Sequence, residues 1–256
     1  MTDTERIDDT TARVSAVVVA GHRGERRVIE AALDSDEPQV RAAALGATVR
    51  SASMPTPIGG SASSSEVTST LLGGLRDADA SVRRRAAMEI GRWSAADPGP
   101  AADDTERLAD GLVERFTVGD DSPVCEVVAF ACGELRMGVD PTEPSDDADL
   151  VGAQELAAAR ARVVQALSEQ ATGHDDHLCR ESAVAALGSI GDPDGIEAVL
   201  SGCEDRATVR RRAVLALAAF DDARATAALV GALEDRDLQV RQAAEELLAI
   251  EDGEAT

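Results

Sequence analysis

Asp205-Arg206-Ala207-Thr208-Val209-Arg210-Arg211-Arg212-Ala213-Val214-Leu215-Ala216-Leu217 carries the pattern from which the rest of the chain is read. A turn aspartate is followed by a Val-Arg pair, and small or aliphatic residues then recur at helical spacing. Val209, Ala213 and Leu217 stand four residues apart, so they lie on one side of a 3.6-residue helix and form a buried stripe. An aspartate just ahead of such a stripe caps a helix N-terminus by accepting backbone N–H bonds.

The pattern recurs six times. Its anchors are Val40-Arg41, Val82-Arg83, Val124-Cys125, Cys179-Arg180, Val209-Arg210 and Val240-Arg241. Four residues beyond each anchor stand Ala44, Ala86, Val128, Ala183, Ala213 and Ala244; eight beyond stand Thr48, Ile90, Cys132, Leu187, Leu217 and Leu248. Asp36, Asp79, Asp121, Asp176, Asp205 and Asp237 precede the anchors by three or four residues, near enough to pair with the arginine that follows.

An apolar segment precedes each of these helices: Val28–Leu33, Leu71–Leu75, Leu108–Phe116, Ala161–Leu167, Ile196–Leu200 and Ala227–Leu233. The unit is helix, short turn, helix. One such hairpin cannot bury both of its apolar faces, so the units must stack into a continuous core. The expected fold is all-α, an α-solenoid of about six helical hairpins. Anchor spacings of 42, 42, 55, 30 and 31 make the last two units compact and give the earlier ones insertions. Ser51–Ser65, Ala95–Asp104 and Gly138–Asp149 are rich in Ser, Gly, Pro or Asp and read as loops, all leaving the same edge. Thr11–Ala20 reads as a further helix. The expected organisation is a cap region at 1–24, one repeat domain at 25–250 and a disordered tail at 251–256.

The pattern of Asp79-Ala80-Ser81-Val82-Arg83, with Ala at the fourth position and Leu-Gly at the eighth and ninth as in Leu187-Gly188, resembles the HEAT repeat. The compact C-terminal units are similar to the HEAT-like repeats of phycobilisome lyases. The resemblance covers roughly residues 25–250. It implies a right-handed superhelix whose second helices line a concave face, used mostly to bind other proteins, and it implies that the repeat arginines pair with turn aspartates. Fold resemblance alone fixes no activity.

Composition sets the surroundings. Acidic residues number 48 against 25 basic ones, a formal net charge of −23, and every basic residue is arginine. The charge is spread along the chain rather than gathered in a tail. In multimolar salt the Debye length falls to roughly 3 Å or less, so dense carboxylates repel little and hold water. The composition reads as adaptation to a salty cytoplasm of the haloarchaeal type. The N-terminal residues carry no basic, then apolar, secretion signal. No apolar run approaches the roughly 20 residues of a membrane span. A monomer is expected. Cys125 and Cys132, seven residues apart with no neighbouring base, read as structural thiols.

Four groups of residues are candidates for function. Arg84, Arg85, Arg211 and Arg212 follow the repeat arginine in two identical runs and project away from the stripe, towards the expected concave face. The arginine fork suits carboxylate or phosphate. The alternative is that these side chains pair with Glu89, Asp205 or Glu181. Met88, Phe130 and Leu215, six residues beyond their anchors, lie opposite the core stripe and would form an apolar strip for a peptide or helix. His174, His177 and Cys179 are metal-ligating types, but their spacing matches no zinc pattern. Cys179 also occupies a buried anchor position.

Catalytic signatures are absent. Gly59-Gly60 and Gly73-Gly74 lack the lysine and spacing of a phosphate loop, and no serine sits in a Gly-x-Ser-x-Gly elbow. Iron hydroxylases built on HEAT repeats carry His-Glu pairs, and none occurs here. An acidic chain without stacking aromatics is a poor nucleic-acid binder. The reading is a protein-interaction scaffold without cofactor or catalysis. A metal-dependent or lyase-type enzyme near His174, His177 and Cys179 is the alternative.

Overall fold

The computed structural model describes residues 3–54, 62–97, 99–137 and 147–254. Within them thirteen α-helices follow one another, without a strand. They are α1 (Asp3–Arg23), α2 (Arg26–Leu33), α3 (Pro38–Ala52), α4 (Ser64–Leu75), α5 (Ala80–Ser94), α6 (Ala102–Val118), α7 (Ser122–Glu134), α8 (Asp147–Gly173), α9 (His177–Ile190), α10 (Ile196–Gly202), α11 (Ala207–Leu217), α12 (Ala223–Ala232) and α13 (Leu238–Glu254). Pairs from α2/α3 to α12/α13 are the six expected hairpins. The disordered tail expected from residue 251 is helical to Glu254, because α13 continues past its last core residues; 255–256 lie outside the described residues. Parts of the expected loops, 55–61, 98 and 138–146, also lie outside them.

Local chemistry sets the helix starts. Asp79, Asp176 and Asp237 accept the backbone N–H of Ser81, Leu178 and Gln239 at 2.9–3.0 Å. Ser63 and Glu66 cap α4 reciprocally. Asp36 and Asp121, also expected as caps, make no side-chain cap; Pro38 and Pro123 in the first turns of α3 and α7 instead favour the helical start.

The stripe is the core. All six anchors, and all six residues four beyond them, are buried. Among the residues eight beyond, Thr48 and Leu248 are half-buried and the other four are buried. The second helices α3, α5, α7, α9, α11 and α13 stack in one row, each on the next, while the first helices form a second, looser row. Small residues permit that stacking. Gly188 of α9 lies so close to α11 that an added Cβ would stand 2.6 Å from Ala216 Cβ. Gly91 against Ala131 and Gly133 against Ala186 repeat the same register on neighbouring helices.

Helix α1 is the seventh member of this row rather than half of a hairpin. It packs on α3, with Val17 and Ala20 buried and Gly21 set against Ala47 as Gly188 is against Ala216. Thr11–Ala20, expected as a covering helix, lies inside it.

The repeat arginines join one unit to the next. Arg41 donates twice to Asp77 at 2.8 Å, Arg180 to Asp205 at 2.6 and 2.8 Å, and Arg210 to Asp235 at 2.8 and 2.9 Å. Arg83 pairs with Asp120 at 2.6 Å. The third guanidinium nitrogen of each donates to a carbonyl of its own turn, such as Ser35 O or Asp205 O at 2.8 Å. The expected pairing with the arginine's own turn aspartate is therefore replaced by a rung to the following unit. Of the six turn aspartates, Asp205 is a rung carboxylate; Asp79, Asp121, Asp176 and Asp237 stand directly before their helices, Asp36 one residue further out, and none of these five holds the repeat arginine. Arg13 of α1 begins the series, donating to Ser35 Oγ and Glu37 Oε1 at 3.0 Å.

One rung is missing. Cys125 stands where α7 would carry arginine, and His174 stands where the next turn would carry aspartate, so both halves are replaced together. Cys125 Sγ donates to Asp120 O at 3.5 Å. His174 Nδ1 accepts the Asp176 N–H at 3.0 Å, the contact Asp77 and Asp235 make to Asp79 and Asp237.

Candidate functional site

The exposed side of the second-helix row holds two clefts. The first, about 400 Å³, is lined by Ala42 of α3, by Ser81, Arg84, Arg85 and Met88 of α5, and by Pro123 of α7, with acidic Asp121 also on its wall. The second, about 350 Å³, lies among Phe130 and Glu134 of α7, Glu181, Ser182 and Ala185 of α9, and Arg212 of α11. Helix α7 contributes to both. Apart from Ser81 and Pro123, which stand one residue before their anchors, and Asp121, three before its own, these lining positions stand two, three, six and ten residues beyond the anchors, which puts them on the helix side opposite the core.

Six of the seven expected contact residues divide clearly. Arg84 and Arg211 are exposed and carry no ion pair among the described residues. Arg85 lies half-buried across Gly46, with Nε 2.7 Å from Glu89 Oε1. That is ion-pair distance, although the N–H is not aligned as a hydrogen bond. Glu89 is only 2% exposed and also takes Arg92 at 2.8 Å. Arg212 stands 3.6 Å from Glu181. The internal pairing weighed for all four arginines thus holds Arg85 firmly and Arg212 loosely, and leaves Arg84 and Arg211 free for a partner. Met88 lines the first cleft. Phe130 lines the second and is 56% exposed, a large aromatic surface to leave in water. Leu215, the seventh, packs half-buried against the core.

His174, His177 and Cys179 do not converge. His174 is held in its turn, His177 Nδ1 lies 3.6 Å from Asp176 Oδ1, and Cys179 Sγ donates to Ser122 O at 3.6 Å. Among the described residues no group of three or more His, Cys, Asp or Glu side chains is arranged to hold a metal ion. Burial pushes the Cys179 thiol up to about 12 and Cys203 up to about 11, and it raises Cys125 and Cys132 as well. Each is a neutral thiol at pH 7, a poor nucleophile. No helix among the described residues is long and apolar enough to cross a membrane.

Sequence reasoning found the exposed face through the six-residue offset and named Glu89 as a partner for these arginines, which Arg85 bears out. Its near-complete burial between Arg85 and Arg92 has no signature in the repeat pattern.

Residues 164–249 match the family model described as HEAT repeats. The rest of the chain shares their fold. An engineered protein of known structure is 21% identical, over 86% of this chain and 96% of that one, with a TM-score of 0.53. A designed armadillo repeat protein in complex with the peptide (KR)4 is 18% identical over 86% of this chain and 97% of that one, with a TM-score of 0.55. Human deoxyhypusine hydroxylase in complex with glycerol aligns at 16% identity over 96% of both chains, but its TM-score of 0.34 carries no argument. No curated protein matches the chain. The chain is an α-solenoid of HEAT-like hairpins.

Proposed function

We propose that this solenoid is a protein-interaction scaffold that binds a protein or peptide partner along its second-helix row and performs no chemistry of its own. The observation that carries the reading is the pair of clefts along one helix row, with exposed Phe130 in the second and unpaired Arg84 in the first. The designed armadillo neighbour, which holds a peptide, supports a partner of this kind. Met88 and Phe130 supply apolar contact, Arg84 and Arg211 supply charge, and Arg85 and Arg212 support the surface from inside. The acidic remainder of the chain is adaptation to concentrated salt, in a cytoplasm where the protein works as a monomer.

The test is cross-linking mass spectrometry on the protein with partners retained from a lysate at multimolar KCl, comparing wild type with Phe130→Arg. The reading requires cross-links concentrated on α5, α7, α9 and α11, and loss of the partner from the variant. A partner retained equally by Phe130→Arg and cross-linked to the first-helix row refutes it.

A further inference from the structure

The exposed face of the second-helix row differs in charge from the rest of the molecule. The positions two, three, six and ten residues beyond the six anchors hold six arginines (Arg50, Arg84, Arg85, Arg92, Arg211, Arg212) and four glutamates (Glu126, Glu134, Glu181, Glu246). This face is slightly positive on a chain whose net charge is −23. The charges are also sorted by helix. Arginine occupies α3, α5 and α11, while glutamate occupies α7 and α9 between them and α13 at the end of the row.

We infer that the row receives an extended acidic peptide segment, with carboxylates at both ends and a basic and an apolar residue in the middle. This rests on the scaffold reading above and names the chemistry of its partner. Arg84 and Arg211 are exposed and unpaired, so each offers its fork to a carboxylate without breaking an internal contact. Glu126 and Glu134 flank Phe130 on α7 and face the middle of the segment. Like charges at the wrong place cost affinity, so the sorted pattern selects as well as attracts.

The clefts fix the conformation. Arg84 and Arg211 lie three helices apart, and neighbouring helices pack about 8–10 Å apart, which separates the two sites by roughly 24–30 Å. A helix of that length, about 10–12 Å across, displaces roughly 2,000–3,000 Å³. The clefts offer about 400 and 350 Å³, enough for side chains of an extended strand. At about 3.3 Å per residue the acidic ends stand roughly seven to nine residues apart.

The experiment uses fluorescence anisotropy with a labelled peptide of roughly eleven residues, carrying two glutamates at each end, arginine and leucine in the middle, and serine and threonine elsewhere. Matched peptides carry glutamine or lysine at the ends. The glutamate peptide binds about tenfold more tightly than the glutamine peptide, as two exposed ion-pair clusters supply. Arg84→Gln with Arg211→Gln removes that preference while the circular dichroism stays unchanged. Equal affinity for the glutamate and glutamine peptides, tighter binding of the lysine peptide, or no saturable binding of the glutamate peptide overturns the inference. If the captured partner nonetheless cross-links to the row, the scaffold reading stands and only its partner chemistry falls; cross-links elsewhere sink both.

Discussion

Asp120 is the carboxylate whose loss should cost most. Its side chain is 2% exposed and lies between Arg83, 15% exposed, and Arg115, 11% exposed, with both donating to it. Burial opposes its ionisation, but hydrogen bonds from Arg83 and Arg115, and then their charges, outweigh that and hold its pKa below the ordinary range. Asp120→Asn keeps the shape but leaves two desolvated guanidinium groups facing a neutral amide. Removing one member of a buried ion pair costs about 3–5 kcal/mol. The rung at Asp77 serves as an internal comparison: Arg41 is the one arginine its carboxylate meets, and both are 15–19% exposed. Asp77→Asn should cost only about 1–3 kcal/mol, the range for hydrogen bonds to a charged group.

The measurement is urea unfolding followed by circular dichroism at fixed salt, with hydrogen exchange resolved by helix. Exchange is needed because a repeat array can open piecewise, so one unfolding midpoint is not sufficient. Asp120→Asn should release protection first in α5, α6 and α7. A loss below about 1 kcal/mol, or one no larger than for Asp77→Asn, refutes the claim that burial of the rung sets its worth. A second check is Arg83→Met combined with Asp120→Leu, which retains Arg115. It should remain less stable than wild type, because that arginine is left unpaired.

Other outcomes follow from the same geometry. Asp77, Asp120, Asp205 and Asp235 are all held below the ordinary carboxylate pKa, so their contribution is complete above about pH 4 and is lost as pH falls through their lower folded-state values; an acid titration by circular dichroism should show a shallower loss in Asp205→Asn than in wild type. Gly188→Ala should destabilise by about 1–3 kcal/mol, since its Cβ meets Ala216 Cα at 2.9 Å, whereas Gly73→Ala meets nothing within 4 Å and should gain up to about 1 kcal/mol of helix propensity; thermal melts separate the two signs. The thiols of Cys125, Cys132 and Cys179 are buried, so a thiol reagent should modify them only as fast as the native protein opens, and rapid stoichiometric labelling would contradict the burial.

The hairpins, the core stripe and the extra N-terminal helix were legible because each depends on local spacing. Valine or cysteine, then alanine or valine, then usually an aliphatic residue recurs every four positions. The rungs were only half legible. Arg41 and Asp77 are 36 residues apart and Arg210 and Asp235 are 25 apart, so the constant relation is one of stacking and not of sequence distance. A reader of the sequence sees an aspartate four or five residues before each repeat arginine and pairs them. In the folded chain Asp79, Asp176 and Asp237 are turned to cap their own helices, while the arginine reaches the next turn. The exchange of Arg for Cys125 was visible, but its counterpart His174 was not, because only the stacked geometry makes these two positions partners.

The same limit applies to the exposed face, and it decides how the arginine runs should be read. Arg84 and Arg85 are neighbours in the chain and identical in chemistry. One reaches solvent at a cleft, while the other lies across Gly46 towards Glu89. That division depends on a glycine one unit earlier, where a Cβ would stand 2.1 Å from Arg85 Nη2. Gly46→Ala would therefore push Arg85 off its bed and into the first cleft, adding a free cation beside Arg84. Average composition hides this surface as well. A charge of −23 suggests a molecule that repels acidic partners, yet the carboxylates dominate away from the second-helix row and leave one arginine-rich strip along it. In concentrated salt such a strip acts at contact distance, where a paired fork and an exposed aromatic still count.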